Sequence, residues 1–172
     1  MKIRIWEIDN QNGSLDFNYT ENLNHLAKEI NQIIEISPVN VIGSASKMAD
    51  VYTIEGKVKA TIKLQCSRCL TPFDFHLESD FKEVLVPQDV DVDWEQGENI
   101  RPLESDEIDI TSIVEEAMLL DVPYIPVCDE DCKGLCQVCG TNLNETDCEC
   151  ETETIDPRLA ELAKWFDQDD AD

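Results

Sequence analysis

Eight cysteines are the residues of this chain best suited to chemistry. Six of them crowd into "CDEDCKGLCQVCGTNLNETDCEC", residues 128 to 150, and the other two form "CSRC", Cys66 and Cys69. Such sets serve as disulfides, a dithiol redox centre, an iron–sulfur cluster or metal ligands. Disulfides need an oxidising compartment. The stretch "MKIRIWEIDNQNGSLDF" has basic residues but no apolar run and no small-residue cleavage site, so nothing there directs export. Close pairs such as Cys148 and Cys150 are also strained if bridged to each other. A redox CxxC opens a helix after a strand. Cys66 and Cys69 instead lie between two strand-like stretches, and Cys136 and Cys139 lie where no helical period runs.

Metal binding suits the spacings best. "CQVCG" has the form of a zinc knuckle: two thiolates three apart reach one ion, and Gly140 permits the tight turn that points amides at sulfur. "CEC" supplies a second close pair. Cys136, Cys139, Cys148 and Cys150 can therefore close a tetrahedral Zn2+ site, and four thiolates leave no open position, so the site is structural. It staples a segment too small and polar to fold by burial. Cys66, Cys69, Cys128 and Cys132 remain for a second four-thiolate site tying the hairpin tip to the base of the cysteine segment. Against that stands a simpler reading as reduced or buried thiols. Cys132, Cys136 and Cys139 also match the C-x3-C-x2-C spacing of radical S-adenosylmethionine enzymes. Those enzymes set it near the start of a large β/α barrel, for which this chain has no βαβ repetition. An ordinary four-cysteine iron–sulfur cluster stays as the alternative metal centre.

The elements that must position these sulfurs follow from periodicity. "MKIRIWEI" alternates and predicts a first strand. "TENLNHLAKEINQI" predicts a helix capped by Thr20, with Leu23, Leu26, Ala27 and Ile30 on one stripe and His25 off it, exposed. "PVNVIGSASK" predicts a short strand. "DVYTIEGKVKATIKLQC" and "FDFHLESDFKEVLV" alternate at length. Val58, Ala60, Ile62 and Leu64 share one face of the first, and Phe73, Phe75, Leu77 and Phe81 one face of the second, with His76 on the polar side. Joined by "CSRCLTP", they predict an antiparallel hairpin with the CxxC at its tip. "PQDVDVDWEQGENIRPLESDE" reads as an acidic solvated loop. "DITSIVEEAMLLD" predicts a helix capped by Asp109 and stopped by Pro123 and Pro126, with Ile110, Ile113, Val114, Ala117 and Met118 facing the core. "DPRLAELAKWF" predicts a last helix, with Asp156 capping and Pro157 at its first position. No internal repeat is visible. The fold class is α+β: a mainly antiparallel sheet with packed helices and a small zinc-binding appendage. The divisions are a body over 1–127, the cysteine segment over 128–152, a helix packing on the body over 153–167 and an acidic disordered tail over 168–172.

Composition bounds the partners. The chain has 172 residues, 38 acidic against 13 basic, and a net charge of −25. Each Zn2+ held by four thiolates carries about −2, so two sites bring the total to roughly −29. That charge repels nucleic acid at long range and favours a basic partner. No stretch reaches the ~20 apolar residues of a membrane span, so a cytoplasmic protein is expected. One window runs against the overall charge. Residues 56 to 73 contain no acid, yet hold Lys57, Lys59, Lys63 and Arg68. The lysines share a strand face and Arg68 sits between two cysteines, where its guanidinium can grip phosphate bidentately. A solvated face whose lysines discourage edge pairing is the plainer reading.

Four stretches together, "CSRCL", "IDITSIVEEAMLLDVPYIPVC", "CKGLCQVCGTNLN…CEC" and "DPRLAELAKW", resemble the YceD-like family of large ribosomal RNA subunit accumulation proteins, in its cysteine-rich branch. The resemblance runs from about Lys57 to Trp165. It implies a non-enzymatic role in the synthesis, processing or accumulation of 23S rRNA, with a large-subunit rRNA precursor or a basic ribosomal protein as partner and no small-molecule substrate. A zinc-stabilised acidic adaptor for a basic protein outside ribosome assembly is the alternative. No Ser–His–Asp set, phosphate-binding glycine loop or carboxylate pair supports an enzyme.

Overall fold

The computed structural model describes residues 1–87, 90 and 100–151. In chain order, β1 (Lys2–Arg4) runs into α1 (Ile5–Asn10), followed by β2 (Ser14–Glu21), α2 (Leu26–Glu29), β3 (Ile33–Ile36), β4 (Val39–Met48), β5 (Val51–Gln65), β6 (Pro72–Pro87), β7 (Ile100–Leu103), β8 (Glu107–Asp109) and α3 (Ile110–Asp121). Strands β2, β4, β5, β6 and β7 lie side by side in that order, and β3 joins the same six-stranded sheet by pairing with β5. All these pairings are antiparallel except β6 with β7, which is parallel. β1 and β8 form a separate antiparallel pair. The class is α+β, as expected.

The hairpin of β5 and β6 follows from its period-two pattern. Val58, Ile62 and Leu64 are fully buried, and Leu77 and Phe81 nearly so, while Lys57, Lys59 and Lys63 stay exposed. Each fully buried aliphatic side chain contributes about 1.5–3 kcal/mol. Register sets each lysine opposite an acid: Lys57 against Asp80, Lys59 against Glu78, Lys63 against Asp74. One row crosses four strands as Phe17, Gly43, Gly56 and Phe81. A Cβ on Gly56 would fall 2.6 Å from the Ile42 carbonyl oxygen and 2.8 Å from the Phe81 ring. The aromatic rings occupy the space that side chains on these glycines would need.

Asp109 caps α3 as expected, accepting a hydrogen bond from the Thr111 N–H at 2.9 Å. Ile110, Ile113, Val114 and Met118 are buried in the core shared with the sheet, and Ala117 packs against it.

Several expectations are corrected. The first strand is only three residues long before the chain turns into α1. The helix expected from Thr20 shrinks to the four residues of α2, and Thr20 belongs to β2. Asparagine side chains explain this. Asn22 Oδ1 accepts from the Asn24 N–H at 3.0 Å, and Asn24 Oδ1 accepts from the Ile36 N–H at 2.8 Å. Such local bonds compete with helix. His25 pairs with Glu115 at 2.9 Å, and His76 Nδ1 lies 3.2 Å from Thr61 Oγ1, its cross-strand neighbour. The acidic loop contains β7, whose Pro102 argues against a central strand but suits the edge it occupies. Residues 88, 89 and 91–99 of that loop, the helix expected over 153–167 and the tail over 168–172 lie outside the described residues.

The chain divides into two compact units. The larger comprises the described residues of Met1–Ser67 and Thr71–Cys128. The smaller comprises Arg68–Leu70 and, among the described residues, 129–151. No helix among the described residues is long and apolar enough to cross a membrane.

Candidate metal centre

In the smaller unit, Cys136 and Cys139 sit on one tight turn. The Cys136 N–H donates to the Thr141 carbonyl at 2.8 Å, and the Gly140 N–H donates back to the Cys136 carbonyl at 2.9 Å. Gly140 adopts φ +75°, a conformation glycine takes without a Cβ clash. The Val138 N–H faces the Cys136 sulfur at 3.4 Å. A bridge between Leu135 and Asn142 closes the turn. The chain then returns with Cys148 and Cys150, and the four sulfurs all lie within 4.8 Å of one another. A tetrahedron of ~2.3 Å metal–sulfur bonds has edges of about 3.8 Å, so closing on an ion asks for little movement.

The electrostatics of the quartet suit a cation. The Cys139 and Val138 backbone N–H groups hold the Cys136 thiol below its ordinary range. The Thr141 hydroxyl, 3.1 Å from the Cys139 sulfur, and the Thr141 amide bring that thiol down to about 6. Its hydrogen bond to Cys139 and burial push Cys150 up to about 12. Cys148 gains from the Cys150 amide, yet rises because crowding by Cys136 and Cys139 and burial outweigh it. The shifts thus favour charge on Cys136 and Cys139 over Cys148 and Cys150. A divalent soft cation would let all four ionise. Four sulfurs in tetrahedral reach suit zinc or an iron–sulfur cluster.

The remaining four cysteines fall two to each unit. Cys66 and Cys128 belong to the larger, and their sulfurs lie within 4.8 Å of each other. Cys69 and Cys132 belong to the smaller, and their sulfurs also lie within 4.8 Å of each other. Cys66 is fully buried and Cys128 exposed. The Ser67 N–H donates to the Pro126 carbonyl at 2.8 Å.

The turn after β5 repeats the knuckle, which corrects the expectation of no internal repeat. The Cys66 N–H donates to the Thr71 carbonyl at 3.0 Å, as Cys136 does to Thr141. Gln65 pairs with Pro72 as Leu135 pairs with Asn142. Leu70 takes φ 59° where the second turn has Gly140. The signal was present as "CSRCLT" and "CQVCGT", which share the two cysteines and the following threonine.

Arg68 does not extend freely. Its Nη1 donates to the carbonyl oxygens of Glu130 at 3.1 Å and Cys132 at 3.0 Å, both in its own unit. Lys57 pairs with Asp80 and Lys59 with Glu78, each at 2.9 Å. Sequence reasoning missed Asn144, whose side-chain amide donates to the Cys132 sulfur at 3.3 Å. An asparagine in a cysteine-rich loop is ordinary turn composition, so only its placement reveals it.

A sheet body whose long hairpin ends in one cysteine turn, with the same turn repeated in a short cysteine segment, defines a class: a small α+β protein with cysteine clusters that could hold metal ions. The chain belongs to the YceD family, described as large ribosomal RNA subunit accumulation protein YceD, which it matches over residues 54–165. It is 34% identical to the uncharacterized protein YlbN of Bacillus subtilis over 91% of each chain. It is 25% identical to the chloroplastic large ribosomal RNA subunit accumulation protein YCED homolog 1 of Arabidopsis thaliana, over 83% of this chain and 53% of that one. It is 27% identical to the large ribosomal RNA subunit accumulation protein YceD of Haemophilus influenzae, over 60% of this chain and 64% of that one. The chain thus spans nearly all of the Bacillus relative but about half of the plant one. No solved structure matches it.

Proposed function

We propose that this protein is a cytoplasmic, non-catalytic factor supporting accumulation of large-subunit (23S) ribosomal RNA. Membership of the family over residues 54–165 carries the process. The test is deletion of the gene followed by profiling of ribosomal particles. Depleted 23S rRNA and aberrant large-subunit precursors are expected; normal particles under stress would sink the reading.

The eight cysteines act as fasteners in this proposal. Cys136, Cys139, Cys148 and Cys150 hold one Zn2+. Cys66, Cys69, Cys128 and Cys132 hold a second, a reading supported by the sulfur spacing within each unit and by the repeated knuckle turn. Metal analysis of anaerobically purified protein distinguishes zinc from a cluster: two equivalents of zinc without iron are expected, and a brown, iron-containing product would overturn it.

The partner is a basic ribosomal protein or the rRNA precursor. The net charge of −25 supports the protein. The RNA reading rests on Arg68, Lys57, Lys59 and Lys63. Binding to a basic partner weakens as salt rises. Capture at low salt followed by identification separates these from an adaptor role outside ribosome assembly, which predicts neither ribosomal proteins nor pre-rRNA.

A further inference from the structure

The segment that presents Cys132 is built on the loop that the Cys136 quartet closes. Between Cys139 and Cys148 the chain folds back on residues 132–135. Asn142 bridges to Leu135, and the Leu143 N–H donates to the Gly134 carbonyl at 3.0 Å. The Lys133 N–H donates to Asn144 Oδ1 at 2.8 Å. Asn144 Nδ2 donates to Asn142 Oδ1 at 2.8 Å and to the Cys132 sulfur at 3.3 Å. These partners fix the amide orientation. Flipping it would set oxygen against Asn142 Oδ1 and an NH2 group against the Lys133 N–H. Both N–H bonds of the amide are thus directed, one to a neighbouring side chain and one to a metal-ligating type of atom.

We infer that Asn144 is a positioning residue that couples the two cysteine sets, so that filling the Cys136 quartet tightens metal binding by the set containing Cys132. The inference rests on the metal reading of the cysteines. A metal on Cys136, Cys139, Cys148 and Cys150 closes the loop bearing Asn144 at both ends. The closed loop holds an N–H donor against the Cys132 sulfur and fixes its direction. Outer-shell bonds of this kind change metal affinity by about 10–100-fold. Coupling is reciprocal, so the set containing Cys132 also tightens the quartet.

The experiment titrates the metal-free full chain with Co2+, reading thiolate-to-metal absorption, and uses cadmium-113 resonances to separate the two sites. Asn144→Asp keeps the oxygen that accepts from Lys133 but turns a carboxylate oxygen toward sulfur. Asn144→Ala removes the donor without adding charge. Both variants should leave the quartet's resonance and the far-ultraviolet circular dichroism unchanged, while affinity at the Cys132 site falls about 10–100-fold, more for Asp. Removing the quartet by Cys136→Ser with Cys139→Ser should weaken the Cys132 site in the wild-type background, with no further loss in Asn144→Asp. Two sites that titrate independently, or Asn144 variants that load like wild type or that still weaken the quartet when Cys132→Ser has disabled the other site, would overturn the coupling. No thiolate absorption in any variant would overturn the metal reading itself, a separate result.

Discussion

Glu83 shows how much a single side chain can hold against its surroundings. It lies on the buried face of β6 between Phe81 and Leu85, only 7% exposed. Its Oε2 sits 3.2 Å from Arg101 Nε yet makes no aligned hydrogen bond. Burial raises its pKa, the Arg101 charge opposes that, and Glu116 adds to the rise. A carboxyl with a raised folded-state pKa binds its proton more tightly folded than unfolded. Its stabilising effect is therefore complete below about pH 4.5 and lost as pH climbs through the raised value. Glu83→Gln mimics the protonated form. It should be more stable than wild type at pH 7, with the difference vanishing near pH 4, as read from urea midpoints at the two pH values. Asp109 is the opposite case. Burial pushes it up, but the Thr111 bonds win and its pKa is lowered. Asp109→Ala should destabilise by about 1 kcal/mol, measured by urea unfolding. Asp109 was legible because an N-cap is a local pattern. Glu83 was not, because its partner arrives on β7, a strand that sequence reasoning takes for loop.

At the scale of elements, β5 and β6 were readable because alternation over many residues admits one answer. The short elements were not. β2 and β3 are four to eight residues long, and the stretch between them carries leucines at helical spacing. Leu23 and Leu26 are indeed buried, but from a turn that Asn22 and Asn24 hold together. Burial was right there and periodicity misleading. The glycine row across the sheet makes its own prediction. Gly56→Ala forces a Cβ against the Ile42 carbonyl and the Phe81 ring, and should cost about 1–3 kcal/mol, seen as a lower denaturation midpoint. The paired cysteine turns were half legible. The spacing marked both as knuckles, while their shared hydrogen bonds needed the folded backbone.

Across the whole molecule, the larger unit has an apolar core and the smaller has sulfur. Core burial in the larger unit does not depend on Cys139. Cys139→Ser should release one metal equivalent and loosen residues 128–150, leaving the sheet folded. Hydrogen exchange read alongside metal content checks this: slow exchange persisting in β5 and β6 is expected, and global unfolding would contradict it. The acidic excess was plain from composition. Which carboxylates face lysines was set by register, as in Lys57 with Asp80.

The pairing of β1 with β8 also places the protein in time. Lys2 pairs with Asp109, more than a hundred residues further along the chain. At ~5–20 residues per second, about 5–20 s of synthesis separate the two. Throughout that interval β1 has an open edge and Ile3, fully buried in the finished body, has no β8 beside it. The last steps of body folding thus wait until synthesis has reached β8.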